Sequence, residues 1–178
     1  FGEEPAVYGD WDFDMPRFVF FNQAIIAFML EMEQRNGWLP DVVHVNDWHT
    51  GLTPFLIDEQ RKKTSSWEHV GTMLSIHNIA YQGDNCGGWC WDYGVPERTH
   101  PELVTRGLTN NMLATALIHS DIITTVSPGY AVEIQFAYQG YGLHDLLRIR
   151  TLDLYGILNG IDTTVWDPAT DAQLVSRF

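Results

Sequence analysis

The sequence predicts an α/β fold built on a parallel sheet covered by helices. Two observations carry the prediction. Short β-branched runs bounded by turn residues recur at 41–45, 70–76, 121–126 and 155–158, the pattern of buried strands. Between them lie segments with apolar residues at three- and four-residue steps, so strands and helices alternate. A chain of 178 residues, 45% of them hydrophobic, is long enough for one domain with a sizeable core.

The elements follow in order. Residues 1–16 interleave Gly, Pro and acidic residues and read as a loop. Residues 17–34 read as a helix, with Phe20, Ala24, Ala27, Phe28 and Met32 at helical spacing. It is apolar most of the way round, as a well-buried helix is, and Gly37 and Pro40 end it. The strand 41–45 (DVVHV) follows, then a helix over 50–62 with Leu52, Phe55, Leu56 and Glu59 on related faces, then the strand 70–76. Residues 77–101 form a long stretch rich in Gly, Trp and Asn, and loops of that length are often functional. Helix 110–120 and strand 121–126 come next. Ser127-Pro128 starts a further helix, Ser as N-cap and Pro at the first helical position. A short helix over 143–150 and the strand 155–158 complete the pattern, with no internal repeat and no low-complexity tract.

In open α/β sheets the ligand site lies beyond the carboxyl ends of the strands. Asn46-Asp47-Trp48-His49, His77-Asn78, Ser127-Pro128 and Asn159-Gly160-Ile161-Asp162 follow the four strands, and one rim should collect them all. Asp, Asn and His offer the donors and acceptors that sugar hydroxyls need. Trp48 and Tyr8 offer flat apolar faces for a pyranose ring, and Gly160 and Gly83 permit close backbone approach. Each residue alone has a structural reading. Asp47 is placed to cap the next helix, His77 to be a satisfied structural histidine, Asn159-Gly160 to form a turn, and Trp48 to fill core.

Asp and Glu number 23 against 10 Lys and Arg, a formal charge of −13. That field repels phosphates, so neither nucleic acid nor a membrane is an expected partner. No apolar run reaches the ~18 residues of a spanning helix, and no signal peptide opens the chain. Cys86 and Cys90 make no disulfide framework, and a reducing, cytosol-like compartment fits them. Neither they with His69 and His100, nor His44, Asp47 and His49, give a metal-ligand spacing, so no metal is expected. Phosphate-loop, dinucleotide-binding and nucleophile-elbow motifs are absent from the sequence. The start at Phe1 without Met and the abrupt Ser176-Arg177-Phe178 end suggest a piece of a longer protein.

Five segments occur in order: DVVHVNDWHTG (41–51), SIHNIAYQG (75–83), TTVSPGYAVEI (124–134), GYGLHDLL (140–147) and GILNGIDTTVWDPATD (156–171). With Tyr8-Gly9-Asp10 and Arg17-Phe18 before them, they make the chain resemble the bacterial glycogen synthase and plant starch synthase family over nearly its whole length. The resemblance implies a Rossmann-like sheet with helices on both faces, part of the N-terminal, acceptor-side domain of a GT-B glycosyltransferase. It implies transfer of glucose from a nucleotide-glucose, usually ADP-glucose, to the non-reducing end of an α-1,4-glucan with retention of configuration. By the same resemblance the partners are the glucan, the nucleotide-glucose and a C-terminal nucleotide-binding domain absent from residues 1–178. No cofactor is implied.

Carried onto this sequence, the resemblance makes Asp47 and His77 catalytic. His77, Asn78 and Asn159 would hold the donor glucose, and Tyr8, Trp48 and His49 would line the acceptor side. The sequence departs from the family at Leu113-Ala114-Thr115-Ala116, where a Lys is usual, at Val132, where an Arg is usual, and over residues 84–96. A non-catalytic glucan-binding module on the same fold is the alternative, since the phosphate-binding half is missing. If earlier strands are missing too, an unpaired apolar edge is expected to favour self-association.

Overall fold

The computed structural model describes residues 8–177; residues 1–7, the first part of the expected opening loop, and Phe178 lie outside them. Helix α1 (Trp11–Asn36) starts at Trp11 rather than at residue 17. The Asp10 side chain caps it, accepting from the Phe13 N–H at 2.9 Å, and Asp12 and Asp14 in the first turn complement the positive end of the helix dipole. Pro16 lies within the helix. Gly37, at φ 62°, closes α1 with its N–H on the Glu33 carbonyl.

The stripe that α1 buries is Met15, Phe18, Val19, Asn22, Ile26 and Met29. The expected stripe through Phe20 and Phe28 faces solvent instead. A helix apolar nearly all round leaves periodicity unable to choose a face; here the choice follows Asn22, whose amide finds buried partners described below. By length and composition α1 could also cross a bilayer, yet this stripe is packed into the protein core.

Four strands form one parallel sheet in the order β1-β2-β3-β4: β1 (Val42–Asn46), β2 (Gly71–Ile76), β3 (Ile122–Thr125) and β4 (Leu154–Gly156). Each lies within two residues of its predicted limits. The connections carry α2 (Thr53–Arg61), then α3 (Gly87–Asp92), α4 (Pro101–Thr105) and α5 (Met112–His119), then α6 (Pro128–Glu133) and α7 (His144–Ile149). The sheet is thus α/β with helical crossovers, as the alternation predicts.

Register sets the two faces. Val45, Leu74, Ile123 and Leu154 lie in one row across the sheet, with Ile76 and Thr125 beside them, and this face is buried under the helices. Because every crossover steps the same way along the sheet, right-handed connections place their helices on one face, so among the described residues one face is covered where the resemblance implies helices on both. α2 accordingly packs on both α1 and α5. The other face carries a polar row: His44 Nε2 bonds Ser75 Oγ at 2.7 Å, and Ser75 Oγ bonds Thr124 Oγ1 at 2.6 Å. Val42 (58% exposed) and Tyr155 (50%) leave it open to solvent.

The long segment after β2 is not a bare loop. It contains α3 and α4, tied to the following turn by Cys86 N–H on the Asn110 carbonyl at 3.1 Å and by Arg98 Nε on the Thr109 carbonyl at 2.9 Å. Cys86 and Cys90 are buried free thiols. The adjoining Cys90 thiol and burial push Cys86 above the ordinary thiol range. Among the described residues no three His, Cys, Asp or Glu side chains gather as a metal set.

Candidate active site at the carboxyl rim of the sheet

Parallel order brings the carboxyl ends of all four strands to one rim. At its β1 corner Asp47 adopts φ 50°, ψ −164°, a region that essentially only glycine enters without strain. Its backbone N–H continues the sheet onto the Ser75 carbonyl at 2.9 Å. Its Oδ1 accepts from the backbone N–H groups of His77 (2.8 Å) and Asn78 (3.2 Å). Asp47 makes no side-chain cap bond to the 3₁₀ turn Trp48–Thr50 that follows. The capping reading therefore gives way to a clamp across the ends of β1 and β2. His77 answers from the other side, its Nε2 2.9 Å from Asn46 Oδ1. Asn78 Oδ1 accepts from the Ala80 N–H at 3.0 Å and turns the loop. From the far side the Tyr130 hydroxyl accepts from the Ile79 N–H at 3.2 Å. Ser127 is the N-cap it was expected to be, accepting from the Tyr130 N–H at 2.9 Å.

Trp48 belongs to both the core and the site. It is 5% exposed and packs against Trp11 (ring centroids 5.8 Å apart, stacked) and Phe18 (5.0 Å, edge-on). Gly83 sits under it at φ +66°, where a Cβ would lie 2.6 Å from Trp48 Cε3. This glycine therefore serves the indole ring, not the close approach of a ligand.

His49 is held from two directions. The Tyr8 hydroxyl bonds its Nε2 at 3.0 Å, and its carbonyl accepts from Asn22 Nδ2 at 2.8 Å. Asn22 Oδ1 in turn accepts from the Thr53 hydroxyl at 2.7 Å, so the buried amide is satisfied at both ends. Burial pulls the His49 pKa below the ordinary histidine value, with Arg17 adding to the effect and Asp47 and Asp14 opposing it. A neutral imidazole is the result near neutral pH.

Tyr8, Trp11, Asp14, Asp47, Trp48, His49, Asn78 and Tyr81 line a cavity of about 600 Å³, within the usual ~300–1,000 Å³ range of small-molecule sites. Five of the seven sequence-predicted residues thus meet in one cavity: Tyr8, Asp47, Trp48, His49 and Asn78. His77 adjoins through its bonds to Asp47 and Asn46. Asn159 stands apart. It is exposed, past the last sheet bond from Ile157 N–H to the Thr125 carbonyl at 2.8 Å, on the β4 side of the rim. Sequence reasoning missed Trp11, Asp14 and Tyr81. Trp11 was hidden by the late helix start, and Tyr81 lay unmarked three residues beyond Asn78.

Of the two carboxylates in the lining, Asp14 is paired with Arg17 and accepts from the Gly9 N–H; the aromatic walls with Asp47, a neutral imidazole and an amide suit a neutral ligand with flat apolar faces and many hydroxyls. Asp47 Oδ1 is committed to the backbone, and Oδ2 has no protein donor among the described residues.

Residues 1–149 match the family described as starch synthase catalytic domain. The chain is 39% identical over 175 residues to the glycogen synthase of Streptococcus equi subsp. equi, covering 97% of this chain and 36% of the relative. It is 39% identical over 189 residues to that of Anaeromyxobacter sp., covering 100% of this chain and 38% of the relative. Among solved structures, the catalytic domain of Starch Synthase IV from Arabidopsis thaliana bound to ADP and acarbose superposes with a TM-score of 0.68 at 33% identity, over 96% of this chain and 34% of that one. The chain spans little more than a third of the length of these relatives. The likeness extends through the strand ends that carry the rim. The chain belongs to the starch synthase catalytic domain family.

Proposed function

We propose that this chain is the acceptor-side part of a glycogen or starch synthase, which moves glucose from a nucleotide-glucose to the non-reducing end of an α-1,4-glucan with retention of configuration. The observation that carries the reading is the Asp47 clamp: a carboxylate in a strained turn at a parallel-sheet rim, fixing the His77-Asn78 backbone beside an aromatic cavity. The glycogen and starch synthase names of the relatives support the reaction class. ADP-glucose is the first donor to test, because the solved relative is bound to ADP.

In this reading the acceptor hydroxyl attacks the anomeric carbon, the bond to the nucleotide diphosphate breaks, and the hydroxyl proton passes to the departing phosphate oxygen. Charge builds on the sugar ring as an oxocarbenium ion. Asp47 Oδ2 stabilises it or orients a sugar hydroxyl, and the pinned backbone at His77 lies against the reacting carbon. His77, Asn78 and Asn159 hold the donor glucose. Tyr8, Trp48 and His49 present the acceptor, with Tyr8 and Trp48 as ring platforms. A second domain of the same protein supplies the nucleotide site, and neither metal nor cofactor takes part. A cytoplasmic location goes with this reading, as for a bacterial enzyme acting on stored glucan; a plastid is its counterpart in a plant.

The test is glucosyl transfer by the full-length protein that carries this chain, offered glycogen with ADP-glucose or with UDP-glucose. Transfer from either donor is the expected result and names the donor. Glucan binding without transfer from either overturns the synthase reading in favour of a non-catalytic glucan-binding module.

A further inference from the structure

Two neighbouring residues of the rim grip His77. Asp47 Oδ1 holds its backbone N–H at 2.8 Å, and Asn46 Oδ1 stands 2.9 Å from Nε2 of its ring. In a regular strand consecutive side chains point to opposite faces, so residues 46 and 47 would aim at different partners. The positive φ of Asp47, 50°, takes it out of that alternation. The strained turn thus serves a two-point hold on one histidine, by its backbone and by its ring.

Asn46 is itself fixed. The Thr50 hydroxyl accepts from its N–H at 2.9 Å and donates to its carbonyl at 3.0 Å. On the other side β1 pairs with β2 as far as Asn46, which lies opposite Ser75. The side-chain amide therefore meets the His77 ring from a backbone held on both edges.

The direction of that bond decides the chemistry of the ring. An amide oxygen only accepts, so Nε2 carries the proton and donates it to Asn46. In the neutral imidazole the other nitrogen then holds a lone pair. Nδ1 has no protein partner among the described residues, and His77 is exposed. The opposite tautomer would present an N–H there instead. In the same corner the Asp47 carboxylate keeps Oδ2 as a second acceptor. Two such acceptors call for a ligand that donates, and sugar hydroxyls do so.

We propose that Asn46 is a positioning residue for glucosyl transfer, holding the His77 ring as its Nε2–H tautomer so that Nδ1 accepts from a hydroxyl of the donor glucose. This rests on the donor-site reading of His77 above. Asn46 touches no substrate in this scheme and acts only through the ring.

The test uses the full-length protein with Asn46→Asp and, separately, Asn46→Leu. Measurements are made at about pH 8.5, some two units above the ordinary imidazole value, so that the neutral ring is read. A carboxylate there can only accept and keeps the bond, whereas leucine, of similar volume, cannot. Nitrogen NMR of the histidine-labelled protein shows which ring nitrogen carries the proton, the His77 signal being assigned by its loss in His77→Ala. Transfer kinetics with the nucleotide-glucose and glycogen are measured alongside. Wild type and Asn46→Asp are expected to show the Nε2–H ring and kcat values within about threefold of each other. Asn46→Leu is expected to move toward the tautomer mixture of a free imidazole and to lose roughly ten- to hundredfold in kcat, with the glycogen KM unchanged. A wild-type ring protonated at Nδ1, an Asn46→Leu kcat within about twofold of wild type, or a loss in Asn46→Asp as large as in Asn46→Leu overturns the proposal and leaves the rim reading intact. Absence of transfer by the wild type overturns the functional reading and the proposal with it.

Discussion

Asp47 gives the sharpest stability prediction, because its backbone and its side chain pull in opposite directions. The φ 50°, ψ −164° conformation costs a non-glycine residue about 1–3 kcal/mol. Against this, Oδ1 receives two backbone donors, at 2.8 and 3.2 Å. Hydrogen bonds to a charged group contribute about 1.5–3 kcal/mol each when protected. Here the second is long and water reaches both amides, so about 1–2 kcal/mol for the pair is the reasonable sum. Asp47→Ala loses both bonds and keeps the strain, and should be destabilised by about 1–2 kcal/mol. Asp47→Gly loses the same bonds but releases the strain, less about 0.5–1 kcal/mol of glycine backbone entropy, and should be about 0.5–2 kcal/mol more stable than the alanine variant. Asp47→Asn keeps an Oδ1 acceptor and tolerates positive φ, and should lie within about 1 kcal/mol of wild type. Urea denaturation of the three variants in the full-length protein measures the order. A glycine variant no more stable than the alanine variant would refute the strain argument, and an alanine variant as stable as wild type would refute the clamp.

Other expectations follow from the same geometry. Gly83→Ala places a methyl 2.6 Å from the Trp48 ring at φ +66° and should destabilise by roughly 2 kcal/mol or more; a neutral effect in thermal melts would mean the ring has room that the structure does not show. His49 and His100 both have pKa values held below the ordinary 6.5, in each case first by burial. The unfolded chain therefore binds more protons below that pH, so stability should be fully present above pH 6.5 and fall as the pH drops through the lowered folded values. Histidine titration by NMR checks the direction, and a His49 pKa above 6.5 contradicts it. The isolated 178-residue chain, with an open second sheet face and the edge strand β1 exposed at Val42, should associate with itself in sedimentation experiments; a monomer with a sharp high-temperature melt would count against that.

The strands were legible because their signal is local: a β-branched run with turn residues on both sides needs no partner to be recognised. Their order followed from alternation, and with parallel order came the common rim. The start of α1 was missed although its signals were present, Asp10 as cap and Asp12 and Asp14 in the first turn, because the interleaved Gly, Pro and acidic residues of 1–16 read as a loop. Its buried stripe was misassigned because Asn22, a polar residue, sits at the centre of it, satisfied there by the Phe18 and His49 carbonyls and the Thr53 hydroxyl. Helix α3 opens on Gly87-Gly88, poor helix formers, and was read as loop. Asp47 shows the general limit. Its chemistry was visible as a carboxylate at a strand end, but its bond to backbone groups 30 residues away is tertiary, and no spacing along the chain encodes it. Gly83 is the converse: a glycine read for a ligand, present for the Trp48 ring.

In the proposed function Asp47 serves the transfer reaction itself, through the carboxylate oxygen that has no protein donor among the described residues. The direct measurement is kcat for glucosyl transfer to glycogen by the full-length protein and its Asp47→Asn variant, with the fold of both confirmed by their melts. Transfer is expected to fall by a factor on the order of 10²–10³ while the variant stays folded and still binds glucan. A variant that transfers glucose within about twofold of wild type would show that Asp47 holds the loop and nothing more.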